Sequence, residues 1–484
     1  MSSSVTLRDE SNIITYGVLY RYFKFNERDT TLYEEINAGL VMYRTTTYIF
    51  LLNPIILSQL HQLHYNTVYT STIIASTVAT LISAVFGNLP FVYTPGLGLS
   101  IYVSTLTHFH THTVLASILL CGTILLLLSM CSINEYISYF IPQHIKISTI
   151  IGISILLAII ACQQIGILQT TNANDIILSN HIDYQNPDLY YSFATLILMC
   201  VLLHYDFTSY VLISITLSTI VYFIVIYNPL PLIPFSLPHI DTYINDVLMN
   251  INVGTDGVIL VCTLLVVCLT DLSAVVHGLG MEAGFGTSSG HIENENYSYI
   301  ATAIGTIIAS LLGCTPIIAA VESASGITSG GKTGVSAIIT SICYVLSLFL
   351  LPLIEVIPLS ITSTALIMTA ALMMYQLQSI DWYSPGVALS AFLVIILIPL
   401  TQSISFGILI GLIVHIIVHV ATRWSRTNDD ANIAWNEEPE YHHQHTTLDR
   451  SISLPVSYRT IGEELSAHHS TKYGSTIEHG EEKV

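Results

Sequence analysis

The residues in this chain best able to do chemistry are two carboxylates set in apolar sequence. Glu322 lies in Cys314–Gly334, CTPIIAAVESASGITSGGKTG, between the apolar runs 300–312 and 335–352. Its neighbours Ala319, Ala320, Ser323, Ala324, Ser325 and Gly326 are all small. Asp271 lies well inside a second apolar segment, 257–279, in LLVVCLTDLSAVVHGLG. A charge in such a setting is costly, and by default it marks a substrate or ion path. Two carboxylates at similar depth resist being charged together, so one of them can take up and release a proton. A carboxylate also only accepts hydrogen bonds, which suits a ligand with adjacent N–H donors. The competing reading of each is a polar group paired between helices.

Other residues fall around this pair. Ser325 and Ser329 stand three and seven positions after Glu322, on one helix face. They either line the same cavity or serve close helix packing. Gly326-x-x-x-x-Gly331-Lys332-Thr333 matches a phosphate-binding loop literally, but such a loop belongs to a soluble strand–loop–helix unit. Here it reads as an accident of a glycine-rich turn, with Lys332 as an interfacial anchor. Arg44, inside the first apolar segment, either snorkels or pairs with a buried carboxylate. Glu355, between Pro352 and Pro358, reads as an outer helix end. His108, His110 and His112 form a histidine-rich loop, and His442, His443, His445, His468 and His469 lie in the tail. Both clusters read as solvated rather than metal-binding. No nucleophile–base set or cofactor loop is present, so neither an enzyme, a cofactor nor a metal is expected.

The elements that must position these residues follow from composition. The chain is 52% hydrophobic and only 9% charged, against about 25% charged in a soluble domain. That inventory cannot cover a soluble surface, so the expected class is an all-α polytopic membrane protein. The net charge of −19 excludes a basic nucleic-acid surface. Eight cysteines are scattered mostly through apolar runs without C-x-x-C spacing and read as small buried hydrophobes. The N-terminal stretch is polar, with Arg8, Arg21, Lys24 and Arg28, and is no signal peptide.

Apolar periodicity predicts about fourteen spanning segments, three of them short: 92–106, 300–312 and 316–329. Thr94-Pro95 in the third segment and Thr315-Pro316 in the tenth sit at corresponding places of two halves. Seven spans per half is odd, so the second half enters the membrane inverted. Paired interrupted segments in inverted repeats point to a transporter's site. The predicted organisation is an N-terminal segment 1–35, a first repeat 36–227, a connecting loop 228–256, a second repeat 257–421 and a disordered acidic tail 422–484. Lys146, Lys332, Arg423 and Arg426 share the side of the basic N-terminus, which predicts cytoplasmic termini, a cytoplasmic tail and an extracellular connecting loop. Asn296-Tyr297-Ser298 then falls on the inner side, where glycosylation is not expected.

Several motifs in order carry a resemblance. FKFNERDTTLYEEINAGL, TYIFLLNPIILS at 47–58, LPFVYTPGLGLSIYV at 89–103, IPQHIKISTIIGISILLAIIACQQIGI at 141–167, VESASGITSGGKTG at 321–334 and DWYSPGVALSAFLVIILIPLTQSISFGI at 381–408 are similar to those of AzgA-like purine permeases. These permeases lie within the nucleobase–ascorbate (xanthine–uracil) superfamily. The likeness runs from about residue 23 to 424. It implies two inverted seven-segment repeats, core and gate domains, and short strands in segments 3 and 10. It also implies uptake of adenine, guanine or hypoxanthine with protons. The substrate site it implies comprises Glu322, Asp271, Gly98, Leu99, Ser100, Val321 and Ser325, with Asp271 and Glu322 coupling the proton. Departures are Thr315 followed by PIIAA instead of a Thr/Ser-rich run, Ser100 in place of Asn, Arg44 in place of an apolar residue, and Leu272-Ser273-Ala274 after Asp271. The expected partners are a purine nucleobase, the proton, the lipid bilayer and a second copy of the chain, in the plasma membrane. The rival readings are uracil, xanthine or anion transport on the same fold, and a purine sensor that does not transport.

Overall fold

The computed structural model describes residues 20–58, 63–106, 109–131, 142–170, 176–178, 187–205, 207, 209–226, 243, 247, 254–286, 292–354, 357–401 and 404–430. Most of the connecting stretch 228–256, Glu355, His108 and the tail histidines lie outside them. Among the described residues fourteen segments run in order. The first half holds α1 (Leu32–Leu57), α2 (Tyr65–Ile82, extended by a π turn, Ser83–Gly87), β1 (Tyr93–Pro95), α3 (Leu97–Thr105), α4 (Thr111–Met130) and α5 (Gln143–Ile165). A small hairpin, β2 (Leu168–Thr170) and β3 (Ile176–Leu178), precedes α6 (Pro187–His204) and α7 (Tyr210–Ile226). The second half holds α8 (Gly254–Glu282), α9 (Glu295–Leu312), β4 (Ile317–Ala319), α10 (Ser323–Thr328), α11 (Gly334–Ser347), α12 (Leu359–Met373), α13 (Pro385–Thr401) and α14 (Ile404–Asp430). Among the described residues seven helices are long and apolar enough to cross a membrane. The third and tenth segments are broken, each a strand followed by a short helix. The 300–312 run is not short: α9 begins at Glu295, and its polar first turn, ENYSY, hid its true start.

The helices fall into two bundles. In the core, α4 packs on α8 and α9, and α1 and α2 pack on α11. In the gate, α5 packs on α12 and α13, α13 on α14, and α6 on α7 and α12. The seam is made where α1 meets α7 and α12, α3 meets α5, and α8 meets α5 and α14. Lys146 of α5 crosses it, its Nζ donating to Ser273 Oγ of α8 at 3.3 Å. Among the described residues Arg44 does not pair with a buried carboxylate. It is exposed, and its Nε donates to the Leu40 carbonyl one turn back.

A strand inside a membrane needs partners for its backbone, because lipid supplies none. Here β1 and β4 supply each other, antiparallel, with Thr94 opposite Ile318. Hydroxyls from the preceding helices complete the task in matching fashion. Tyr93 N–H donates to Thr80 Oγ1 of α2 at 3.0 Å, and Ile317 N–H donates to Thr306 Oγ1 of α9 at 3.2 Å. Val92 N–H donates to Ser323 Oγ, and Ala320 N–H to the Val92 carbonyl. Tyr93 therefore corresponds to Ile317, the first residue of each strand. The Thr-Pro pairs do not correspond: Pro95 closes β1, whereas Pro316 precedes β4. Gly305 lets α9 close on this layer, since a Cβ there would lie 2.7 Å from Ala79 Cβ and 3.3 Å from Ile317 Cβ.

The glycine-rich turn after α10 has an anion of its own. Glu35, buried in the first turn of α1, accepts from the backbone amides of Lys332 (2.9 Å), Thr333 (3.0 Å) and Ser336 (3.2 Å) at the start of α11. Thr30 Oγ1 adds a fourth donor at 3.2 Å. The loop thus does what a helix N-terminus does for a phosphate, but the charge it holds is the chain's own carboxylate. Arg28 binds beside it, donating to the Asn88 and Lys332 carbonyls at 2.6 and 2.7 Å and stacking 4.3 Å above the Phe285 ring. Burial pushes its guanidinium down, while Glu293, Glu35 and Glu27 pull it up. Glu35→Ala leaves three amides without an acceptor, and each buried unpaired donor costs about 1–3 kcal/mol. Thermal melting of the detergent-purified chain is expected to fall sharply for Glu35→Ala and far less for Glu34→Ala, whose side chain is exposed. Equal shifts for the two would show that Glu35 does not hold the turn.

Candidate functional site

The site is built where the two broken segments meet α1. Glu322 stands as the N-terminal flanking residue of α10, and its side chain does not cap that helix. Instead Glu322 Oε1 accepts from the Tyr48 hydroxyl of α1 at 2.5 Å. Tyr48 is 5% exposed, whereas Glu322 is only partly buried and Val321 beside it is 52% exposed. One carboxylate oxygen is thus fixed by a phenol while the group keeps unused acceptor capacity. Sequence reasoning did not single out Tyr48. Its signal, a tyrosine in the apolar run TYIFLLNP, is weak because tyrosine commonly fills cores.

The other expected residues divide. Asp271 lies half-buried on α8, which packs on β4 and α10, and its carboxylate has no hydrogen-bond partner among the described residues. Ser325 does not point to open space. Its hydroxyl donates to the Glu322 carbonyl at 2.7 Å and meets Thr45 Oγ1 of α1 at 3.0 Å. Ser329 Oγ donates back to the Ser325 carbonyl. Both hydroxyls are thus engaged by the backbone of their own helix, and Ser325 by α1 as well.

Gly98, Leu99 and Ser100 occupy the first turn of α3. Leu99 is fully buried in the core cluster. Gly98 allows α3 to approach the gate, since a Cβ there would lie 2.6 Å from Ile153 Cγ2 of α5. Ser100 is buried in a polar knot rather than presented to a ligand. Its Oγ donates to Asn53 Oδ1 of α1 at 2.5 Å and lies 2.9 Å from Thr315 Oγ1, just before β4. Asn53 Nδ2 in turn donates to Thr72 Oγ1 at 2.7 Å and to Cys314 Sγ at 3.3 Å. What this leaves for a ligand is backbone: the first amides of a helix have no partner within it, and those of α3 open at the strand–helix junction.

Among the described residues no three His, Cys, Asp or Glu could hold a metal. His110 and His112 only stack, with centroids 5.2 Å apart.

The buried knot generates a prediction. Asn53→Ala removes the acceptor for Ser100 and the donor to Thr72, and the cost is expected to be on the order of 3 kcal/mol. Melting of the purified variant checks this, and an unchanged transition would show that the knot does not hold the broken segments.

Comparison with known proteins agrees with this architecture. The profile of the permease family, the xanthine/uracil permeases, matches residues 34–422. A putative permease of Methanocaldococcus jannaschii is 30% identical over 395 residues, covering 80% of this chain and 89% of its own. A guanine/hypoxanthine permease of Bacillus subtilis is 29% identical, covering 80% and 91%. An adenine permease of Escherichia coli is 25% identical, covering 85% and 93%. The transmembrane domain of a cyanobacterial bicarbonate transporter superposes with a TM-score of 0.57 at 14% identity, covering 79% of this chain and 98% of that one, a likeness of fold alone. With its inverted-repeat fold and a family match over most of its length, the chain is an integral membrane protein and belongs to the xanthine/uracil permease family of the nucleobase–ascorbate transporters.

Proposed function

We propose that this permease imports purine nucleobases by proton symport. The observation that carries the reading is Glu322: a partly exposed, acceptor-only group at the break of segment 10, bonded on one oxygen by the Tyr48 hydroxyl. A purine offers adjacent ring and exocyclic N–H groups, which a carboxylate can grip with two hydrogen bonds. The base lies between Glu322 and the first turn of α3, whose open amides take a ring nitrogen or carbonyl oxygen. Guanine, hypoxanthine and adenine are the bases named for the Bacillus and Escherichia relatives, which supports a purine nucleobase over an anion. Asp271, without a hydrogen-bond partner among the described residues, is the group assigned to the proton.

Transport follows from moving the core against the gate. Glu322, Asp271 and both strands belong to the core, so the bound base travels with that bundle as it rocks. The N-terminal face carries Arg21, Lys24, Arg28 and Lys332, which supports placing it in the cytoplasm. The plasma membrane is the proposed location, where a proton gradient can drive uptake.

Uptake of radiolabelled hypoxanthine, with unlabelled adenine, guanine, uracil and xanthine as competitors, tests the substrate class. Glu322→Gln is expected to melt like the unaltered chain yet reduce uptake at least about hundredfold, since the amide presents a donor where the base needs an acceptor. Undiminished uptake by this variant would sink the assignment. Asp271→Asn is expected to exchange the base but no longer accumulate it against a gradient. Accumulation that survives a protonophore would overturn proton coupling, and binding without net uptake in vesicles would favour a sensor.

A further inference from the structure

Ile153 of α5 carries no reactive group, and the proposed function does not use it, yet it touches the core beside the proposed site. Gly98 is the second residue of α3, in the turn whose open amides would take the base. A Cβ on Gly98 would lie 2.6 Å from Ile153 Cγ2, 3.2 Å from its Cδ1 and 3.6 Å from its Cβ. The gate therefore rests directly on the backbone of that turn. Ile153 is buried and Gly98 only half-buried, so the gate covers one side of the turn and leaves another open. Lys146, bonded to Ser273 of α8, stands seven residues earlier on the same face of α5. The helix thus meets the core at two points about 10.5 Å apart along its axis, one polar and one apolar. The apolar point has little room to yield. Cγ2 is held by the stiff χ1 of a β-branched side chain. Behind it Gly152 brings α5 hard against α13, since a Cβ there would lie 2.8 Å from Ile398 Cδ1 and 3.0 Å from Ile398 Cβ. Ile398 is backed in turn by Gly407 of α14, where a Cβ would lie 2.5 Å from Ile398 Cγ1.

We propose that Ile153 is a positioning residue for transport: its contact with Gly98 is the stop at which the gate closes on the core beside the bound base. The inference rests on the first turn of α3 being part of the purine site. The groups that would bond the base, Glu322 and the α3 amides, all belong to the core. What the gate adds is a wall. Its distance from those amides is set by one branched side chain resting where one Cβ is missing. That fit fails in two directions. A methyl added at Gly98 holds the seam open, and side-chain carbons removed from Ile153 leave the wall without its stop. Removing them touches no group that bonds the base, so the loss falls on the movement of the loaded core and not on binding. Making both changes restores a contact, because the two remaining Cβ atoms lie 3.6 Å apart, an ordinary van der Waals distance.

The test uses the full chain in proteoliposomes, with radiolabelled hypoxanthine as the probe for both equilibrium binding and uptake. Ile153→Ala is expected to bind hypoxanthine within about threefold of the unaltered chain and to lose about tenfold in uptake rate, a split that general loosening of the fold would not give. Gly98→Ala is expected to lose uptake more severely. The double variant is expected to be about tenfold faster than Gly98→Ala alone, because the two changes compensate at one contact. Wild-type uptake by Ile153→Ala, loss of hypoxanthine binding by it, or a double variant no faster than Gly98→Ala would overturn the stop. A second measurement reads the contact without substrate. The 3.6 Å between the two Cβ positions falls within the range of about 3.5–4.5 Å that a disulfide requires. Gly98→Cys/Ile153→Cys is expected to cross-link on oxidation, as read by mass spectrometry of its peptides, and to lose uptake until a reductant restores it. Failure to cross-link, or full uptake by the cross-linked chain, would overturn the proposal as well. Glu322→Gln, run alongside, separates this inference from the site assignment. If it loses binding while Ile153→Ala transports normally, the site stands and the stop falls. If it binds hypoxanthine normally, the site assignment falls, and reversible loss of uptake on cross-linking still upholds the stop.

Discussion

Everything in this protein depends on the pairing of β1 with β4. Unwinding a helix inside hydrocarbon exposes amides and carbonyls that lipid cannot satisfy, at several kcal/mol each. Two breaks at the same depth solve the problem that neither solves alone. Three residues from each half pair across the middle. Thr80 and Thr306 then serve Tyr93 and Ile317 in the same way, each taking the first strand amide on its hydroxyl. The inverted repeat is thus visible in hydrogen bonds as well as in helix order. The pairing also accounts for the position of the site. Only at such a break do helix-start amides and an uncommitted carboxylate come together in the interior of a membrane protein.

The carboxylates of the apolar segments are told apart by how many donors each receives. Glu35 accepts from three amides and a hydroxyl and is fully buried, so no acceptor capacity is left for anything that comes and goes. Glu322 accepts from the Tyr48 hydroxyl and remains partly exposed. Asp271 receives no donor among the described residues. Hydrogen bonds to a charged group contribute about 1.5–3 kcal/mol each. Four of them make Glu35 a fixed part of the scaffold, while one leaves Glu322 free to trade partners. Available lone pairs, rather than burial, separate the proposed binding carboxylate from the structural one.

How far the sequence can be read follows the same physics. The spans are legible because lipid demands runs of about 20 apolar residues, and the breaks are legible because Pro and Gly interrupt such runs. Glu322 and Asp271 stand out because a charge among Leu, Val and Ala is too costly to be incidental. Glu35 does not stand out: beside Glu34 at the edge of an apolar run, it reads as a helix-start acid. Tyr48 and Asn53 are hidden because a single aromatic or amide in a span is usually packing. The side-chain contacts of Ser100 are hidden for a further reason. Its neighbourhood is set by Asn53, Thr72 and Thr315, from three other segments, and no local pattern carries that meeting. The phosphate-loop match marks no nucleotide site, yet its amides do bind an anion, one supplied from about 300 residues away in the chain.

These contacts give α1 a role that its plain apolar sequence conceals. Its polar anchors meet the tenth segment and its flanks in reverse order along the chain. Glu35 holds the turn at 332–336, Tyr48 holds Glu322, and Asn53 reaches Cys314 while sharing Ser100 with Thr315. At about 1.5 Å per residue, the 13 positions from Glu35 to Tyr48 span about 20 Å, and the next five about 7.5 Å. An antiparallel helix is therefore pinned at both ends and at its centre to the segment that carries Glu322. The same helix also touches α7 and α12 of the gate. Were the gate to shift against the core, it would slide past α1, whose anchors hold Glu322. The broken segment can then be short and irregular without becoming loose, because its position is set by a continuous helix beside it.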